Sequence, residues 1–188
     1  MMKRVSTIFL ILLSIIFAPL AQAQVYWNGT VDKKFAGSGT QADPYLISTP
    51  EQLAGLAERT NTDKEDFAGQ YIKLTADIYL TDFTNPDTTT WLEWEPIGYK
   101  LMQYNNPTDY GYFRGNFDGD GHTIYNLYYG SGMNWADDWD PNDFELELNG
   151  YDWSVMNKAL FVNVDGGTIE NVRMANAKMA GVNQALLV

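Results

Sequence analysis

The stretch FRGNFDGDGHTIYNLY, from Phe113 to Tyr128, decides the fold that this sequence predicts. Two short strand-like pieces, residues 113–117 and 123–128, flank an Asp-Gly-Asp-Gly turn at residues 118–121. Tight turns need backbone conformations with a positive φ, which glycine adopts without steric cost. The stretch therefore predicts two strands joined by a sharp corner.

The second strand-like piece contains a bend of its own. Ile124 and Leu127 are three residues apart, so strict alternation along a strand would place them on opposite faces. A bend at Asn126 would turn both side chains inward, because asparagine is among the few residues other than glycine that tolerate the left-handed region. We therefore expect a strand–corner–strand unit.

The same phrase returns later in the chain, since TIYNLY at residues 123–128 matches TIENVR at residues 168–173. An internal repeat of strand–corner–strand units predicts a β-solenoid, in which each coil buries its inner face against the next. The apolar residues of the two phrases are then expected to be buried and stacked coil on coil: Ile124, Leu127, Ile169 and Val172.

The chain resembles the GLUG-motif family of bacterial surface proteins, which is frequent in gut Bacteroidota. The residues that carry the resemblance are Phe113, Gly115, Phe117, Asp118, Gly119, Gly121, Ile124, Asn126, Leu127, Ile169, Asn171 and Val172. A further matching phrase begins at Ala159-Leu160-Phe161, where Ala159 and Val162 stand in positions at which the family usually has glycine. The resemblance implies an all-β protein, a right-handed parallel β-helix (solenoid), of adhesin-like character.

The first 23 residues are typical of a secretory signal peptide. Lys3 and Arg4 precede an apolar run at residues 8–20, and Ala21-Gln22-Ala23 is a small-residue cleavage site. The run is too short for a membrane span. We expect export to the cell surface or the extracellular space, and the absence of cysteine excludes a lipid-modified cysteine, disulfides and thiolate chemistry.

The charge of the chain restricts its partners. The 188 residues carry a net charge of -12, so nucleic acid and anionic lipid would be repelled. An acidic extracellular surface, cation binding and plain solubility all fit this charge. We therefore expect a glycan or an extracellular protein as partner, with neither nucleic acid nor a membrane span.

Residues 24–188 are predicted to form one domain. Thr49, Pro50 and Gln52 are a helix start with a capping box, and the α-helix that follows is expected to end near Thr60 and to cover the first coil. Residues 24–66 would form this N-terminal cap and residues 67–188 the coils. The strand pattern that runs to Val188 has no capping residues after it, so we expect a truncated chain whose native form continues with downstream coils.

An insertion near residues 130–153, rich in Trp and Asp, holds the candidate site. Its aromatic residues could stack on sugar rings or could pin the loop to the solenoid: Trp135, Trp139, Tyr151 and Trp153. Its carboxylates could gather Ca²⁺ as the one possible cofactor or could form a solvated acidic loop: Asp138, Asp140 and Asp143. His122, the only histidine, is interpreted as a surface turn residue rather than as a base or a metal ligand.

Two functions follow as hypotheses. The first is a non-catalytic, secreted or surface-associated β-helix protein of adhesin type that binds a glycan or a protein on its lateral face. The second is a carbohydrate-active enzyme, either a polysaccharide lyase or a glycosidase, or a carbohydrate-binding module. Two carboxylates on adjacent coils facing one groove would favour the enzyme.

Overall fold

The computed structural model describes residues 24–98, 111–130, 156–179 and 182–184. The predicted signal peptide, almost all of the Trp- and Asp-rich insertion and residues 185–188 lie outside the described residues. The strands are β1 Tyr45–Ile47, β2 Tyr71–Leu74, β3 Ile78–Tyr79, β4 Asn116–Asp118, β5 Thr123–Tyr125, β6 Tyr128–Tyr129, β7 Met156–Lys158, β8 Thr168–Glu170, β9 Arg173–Ala175, β10 Lys178–Met179 and β11 Val182–Gln184. One α-helix, α1 Pro50–Asn61, and a 3₁₀ turn at Thr88–Thr90 complete the elements of this part of the chain.

The described strands form parallel sheets. Their order is β1-β2-β4-β8 in a four-stranded sheet and β3-β5-β9 in a three-stranded sheet, with two further pairs, β6-β10 and β7-β11. Consecutive chain segments therefore add strands to the same two sheets in the same order: β2 and β3, then β4 and β5, then β8 and β9. The coarser part of the all-β prediction, a chain made mostly of strands, is confirmed.

The sheets enclose one apolar core because inward residues alternate along the short strands. Ile72 and Leu74 of β2 and Ile78 of β3 are buried, while the neighbouring Tyr71, Lys73 and Tyr79 are only partly buried. Helix α1 contributes Leu53 and Leu56 to the same core, and both side chains have no exposed surface.

Helix α1 begins where the sequence predicted. The Thr49 side chain caps it by accepting a hydrogen bond from Gln52 N at 3.2 Å. The Gln52 side chain does not return to Thr49, as a capping box would require; its Oε1 accepts from Ser48 N at 2.9 Å. With 12 residues, α1 is shorter than the roughly 20 needed to span a bilayer, and the described ranges contain no helix long and apolar enough to do so.

The corner at Asn126 is confirmed. Asn126 has a φ of 63°, and its flanking residues Ile124 and Leu127 are both fully buried. Asn126 Nδ2 donates to Thr81 O at 2.7 Å, and Asn176 Nδ2 donates to Asn126 Oδ1 at 2.7 Å. Asparagine therefore adopts the left-handed conformation that glycine would also allow, and in addition its amide links three successive chain segments, which glycine could not do.

The two glycines of the 118–121 turn have different roles. Gly121 has a φ of 77°, as the sequence predicted, but Gly119 has no positive φ. A Cβ at Gly119 would lie 2.6 Å from Asn171 O, so this position needs glycine because another segment passes close to it. The positive φ expected at Gly119 occurs instead at Asp120, at 49°.

The predicted stacking of the two repeated phrases is wrong. Ile169 pairs with Phe117 across β8 and β4, whereas Ile124 lies between Ile78 and Met174. The phrases look alike because both contain a corner asparagine, and Asn171 also has a positive φ, of 55°. They nevertheless occupy different corners, so the similarity of the two phrases does not show which strands pair with each other.

The burial expected for the second phrase is also wrong. Ile169 and Val172 pack against the core but are partly exposed, and Asn171 is exposed. The reason is position: in the described part of the chain, β8 pairs with β4 on one side, at the margin of the four-stranded sheet. The first phrase lies between two neighbouring segments and is therefore buried from both sides.

The remaining motif residues lie where the packing needs them. Phe113 and Phe117 are fully buried, and both rings pack on Phe161 at centroid distances of 5.1 and 5.2 Å. Gly115 is buried between Phe113 and Phe67, where an added Cβ would come within 2.9 Å of each. The motif is therefore a set of core and corner residues.

Candidate functional site

The outward face of the four-stranded sheet carries two rows of side chains. Successive residues of a strand point to opposite faces, so the residues that flank the buried Ile72 and Phe117 point outward. One row is Tyr71, Asn116 and Thr168, and the other is Lys73, Asp118 and Glu170. Paired strands lie about 4.7–4.9 Å apart, which sets the spacing within each row.

These rows line a groove of about 480 Å³, which we call the lateral groove. Gln41 and Pro44, from the turn that precedes β1, line it together with the two rows and Ile72. The lining combines one aromatic ring with amide, hydroxyl, ammonium and carboxylate groups. This composition suits a polar ligand that offers both hydroxyl groups and an apolar face.

Hydrogen bonds fix the polar groups of the first row. Thr168 Oγ1 donates to Asn116 Oδ1 at 2.9 Å, and Asn116 Nδ2 donates to Gln70 O at 3.2 Å. The Asn116 amide therefore has a set orientation across the strands. A preorganised amide loses less conformational entropy on binding than a mobile one.

Asp118, in the middle of the second row, is held as a carboxylate. Its Oδ1 accepts from Asp120 N at 2.8 Å and from Asn171 Nδ2 at 2.9 Å. Partial burial acts to raise the pKa of Asp118, but these two hydrogen bonds and the charge of Lys73 outweigh that effect, and the pKa lies below its usual value. Asp118 is therefore an acceptor and a negative charge at neutral pH, and a poor proton donor.

Lys73 is already paired. Its Nζ lies 3.0 Å from Asp120 Oδ2, across the turn that follows β4. This hydrogen bond to Asp120 is the main cause of a raised pKa at Lys73, with a further contribution from the charge of Asp118. Lys73 therefore stays charged, and its charge is directed at the protein's own carboxylates.

The aromatic and acidic residues predicted as ligand and metal sites lie outside the described residues: Trp135, Trp139, Tyr151, Trp153, Asp138, Asp140 and Asp143. Their roles stay predictions. Within the described ranges, no group of three or more His, Asp or Glu side chains is placed to hold a metal ion. The calcium hypothesis concerns the insertion and is not addressed by that observation.

His122 lies in the turn between β4 and β5. Its backbone N–H donates to Gly119 O at 2.8 Å, and its Nδ1 lies 3.4 Å from Asp77 Oδ1. The side chain is about one-third exposed. The position agrees with the interpretation of His122 as a turn residue at the surface.

Sequence reasoning missed a surface aromatic cluster formed by Phe83, Trp91 and Tyr128. The Trp91 ring centroid lies 4.8 Å from that of Phe83 and 5.3 Å from that of Tyr128. Lys178 Nζ lies 4.1 Å from the centroid of Trp91 and 4.2 Å from that of Phe83, at cation–π distance. Tyr128 and Lys178 lie far along the chain from the loop that holds Phe83 and Trp91, so no local pattern could have joined all four residues.

The lateral groove was missed for a similar reason. Alternation predicts that Lys73, Asp118 and Glu170 point outward, but their alignment depends on the register between distant strands. The one available signal was the phrase GNFDGDG at residues 115–121, which predicts a polar residue on either side of a buried phenylalanine.

Comparison with known proteins gives little likeness. No family model matches the chain, and no solved structure matches it. The chain is similar to Halomucin of Haloquadratum walsbyi, with 27% identity over 169 residues. That alignment covers 86% of this chain but 2% of Halomucin, so the chain spans a very small part of that relative. A likeness of this size and extent does not assign a family.

Proposed function

We propose that residues 24–188 form a right-handed parallel β-helix of the GLUG type, capped by α1. The addition of successive segments to the same sheets in the same order supports this architecture. The corner asparagines support it as well, since Asn126 and Asn176 bond to each other across successive segments. The apolar face of α1 in the core fits the role of a cover for the first coil.

In this proposal the protein is exported and acts, without catalysis, as an adhesin-like surface protein. The signal-peptide pattern at residues 1–23 and the net charge of -12 support an extracellular location. The likeness to Halomucin, a protein named as a mucin, adds faint surface-protein context. The proposed partner is a glycan that lies along the lateral face.

The observation that carries the proposed binding function is the lateral groove. It brings Tyr71, Asn116 and Thr168 into one row, with the Asn116 amide held by hydrogen bonds on both sides. A sugar ring has hydroxyl groups for the amide and the Thr168 hydroxyl, and an apolar face for the Tyr71 ring. Residues repeated at strand spacing suit an extended chain better than a compact ligand.

One observation favours the enzyme as a second candidate. Asp118 and Glu170 are direct partners on adjacent strands and line the same groove, which is the arrangement that a pair of catalytic carboxylates would need. A glycosidase needs a general acid and an ionised carboxylate, and the lowered pKa of Asp118 suits only the second role. The enzyme would therefore depend on Glu170 as its acid, whereas binding needs only the polar row and the Tyr71 ring that already line the groove, so binding is the first candidate.

The test is glycan binding by the purified protein. A glycan array would identify a ligand, and titration calorimetry would compare the wild type with Tyr71→Ala and Asn116→Ala. Each variant should weaken binding about tenfold or more, which corresponds to roughly 1.4 kcal/mol. Tyr26→Ala is the matched control, because Tyr26 is a half-buried tyrosine that pairs with Tyr79 of the other large sheet.

Two outcomes would contradict the proposal. If no glycan bound above background, or if both groove variants bound as well as the control, the lateral groove would not be the binding site. Release of oligosaccharides that stops in Glu170→Gln would instead establish the enzyme.

A further inference from the structure

We propose that the lateral groove selects uncharged glycans and rejects acidic ones. The inference rests on the proposed function, which it narrows to one class of ligand. It follows from the signs and partners of the charged groups around the groove, and not from the shape of the groove alone.

The groove lining is acidic. Two carboxylates, Asp118 and Glu170, are direct neighbours on paired strands, so their charges add at one place in the groove. A third carboxylate, Asp120, lies in the turn beside the groove and is paired with Lys73. Carboxylates at this spacing repel any further anion that approaches them, most strongly at low salt.

The one cation of the described lining leaves a net negative charge, since it faces two lining carboxylates and is already paired. Within the described residues that line the groove, Lys73 is the sole cation, and its Nζ lies 3.0 Å from Asp120 Oδ2. A uronic acid or sulfated sugar would have to compete with Asp120 for Lys73 while lying against Asp118. An uncharged sugar faces no such competition.

The neighbouring cations are directed elsewhere. Arg114 forms ion pairs with Asp66 at 3.0 Å and with Asp165 at 2.6 Å. Arg173 lines a separate depression at the corner, together with Asp120 and Gly121. Neither guanidinium lines the groove, so neither supplies the positive charge that an acidic sugar needs.

The same carboxylates favour an uncharged sugar, because they accept hydrogen bonds from its hydroxyl groups. Hydrogen bonds to charged acceptors are stronger than those between neutral groups. The Asp118 carboxylate is fixed by Asn171 and by Asp120 N, so it meets a hydroxyl donor with little further loss of entropy. Rejection of anions and recognition of hydroxyls therefore have one structural cause.

The experiment compares each neutral glycan with a derivative that carries added carboxylates, and the salt dependence separates the effect of charge from that of the added bulk. The probes are linear neutral polysaccharides, namely a β-glucan, a mannan and chitin oligosaccharides, each beside its carboxymethylated form. We expect the neutral form of a bound glycan to bind at least tenfold more tightly than its carboxymethylated form at low salt. The difference should shrink as the salt concentration rises, because ions screen the repulsion.

A charge-reversal variant makes the test specific to the groove. Glu170→Lys should reduce the discrimination against the carboxymethylated form at least threefold. Glu51→Lys, the same change in the first turn of α1, should leave it unchanged. Melting curves of both variants would show that each protein is folded.

The outcomes separate this inference from the proposed function. Equal or tighter binding of the acidic form by the wild type would overturn the charge selectivity and leave glycan binding in place. Unchanged discrimination in Glu170→Lys would also overturn it, since another surface would then select the ligand. Failure of all neutral and acidic probes to bind would overturn the proposed function and this inference together.

Discussion

Replacement of Ile124 by alanine should cost far more stability than the same replacement at Ile169. Ile124 is fully buried, with Ile78 and Met174 as its partners on the two neighbouring strands. Loss of three buried carbon groups at about 0.8 kcal/mol each removes roughly 2.4 kcal/mol, and the enclosed cavity adds to this. We expect a loss of about 3–4 kcal/mol in the free energy of unfolding.

Ile169 has the same chemistry in a different position. It is partly exposed, so part of its transfer free energy is not gained on folding, and the space left by truncation is open to water. We expect a loss of about 1–2 kcal/mol for Ile169→Ala. Glu170→Ala, the exposed neighbour on the same strand, is the control and should change stability by less than about 0.5 kcal/mol.

Thermal unfolding followed by circular dichroism would measure these differences. For a chain of this length, each kcal/mol lowers the melting temperature by about 2–4 °C, so Ile124→Ala should melt roughly 6–16 °C below the wild type. Denaturant titrations would supply the free energies directly. If Ile169→Ala cost as much as Ile124→Ala, Ile169 would be covered in the folded protein, contrary to the partial exposure of this side chain in the structure.

Three further predictions concern the corner, the acid limit of stability and the insertion. Asn126→Ala should destabilise the protein more than Asn126→Gly, by about 1 kcal/mol in urea unfolding. Both variants lose the hydrogen bonds of the amide, but only alanine is strained in the left-handed conformation. Equal losses would show that this strain is unimportant. The hydrogen bond from Ala68 N, and then the pairing with Arg114, lower the pKa of Asp66 below its unfolded value of about 3.9. Its contribution should therefore be full above about pH 5 and be lost as the pH falls through the folded pKa, so stability should fall less steeply with acid in Asp66→Asn than in the wild type. If residues 138–143 gather calcium, calcium should raise the melting temperature, whereas identical curves in calcium and chelator would leave the solvated loop.

Local features of the fold could be predicted because their causes are local. The start of α1 follows from a cap, a proline and helical spacing, and all three lie within a few residues of one another. The bend at Asn126 follows from two apolar residues at the wrong spacing for a plain strand. One detail differs: the Gln52 side chain accepts from Ser48 N and not from Thr49 N, the donor that a capping box uses. The two backbone donors are neighbours in the chain, so the sequence pattern does not distinguish them.

Register could not be predicted, because it is set by contacts between distant segments. The phrase around Ile124 and the phrase around Ile169 share apolar and asparagine positions, yet they do not stack on each other. Ile124 pairs with Met174, and Ile169 pairs with Phe117. The repeat of the structure falls on Met174 and Asn176, where the sequence has MANA instead of IYNL. Met174 stands where the first phrase has Ile124, so Asn176 is the only residue of MANA that still matches the first phrase.

The lateral groove could not be predicted either, because its lining depends on the same register. Each residue of the groove can be recognised as outward-facing from its own strand. A shift of β8 by one residue against β4, however, would separate Asp118 from Glu170, and the acidic pair would no longer form. The inward-facing partners Ile72, Phe117 and Ile169 fix the register on the inner face. The chemistry of the outer face is therefore decided by packing on the inner face, which no outward residue reveals.

The corner asparagines connect the two faces. Asn171 has a positive φ, which turns the chain after β8, and its Nδ2 donates to Asp118 Oδ1. A glycine at this position would make the same turn but would leave Asp118 with one hydrogen-bond donor fewer and a higher pKa. The residue that identifies the repeat in the sequence thus also stabilises the negative charge on which the selectivity of the lateral groove depends.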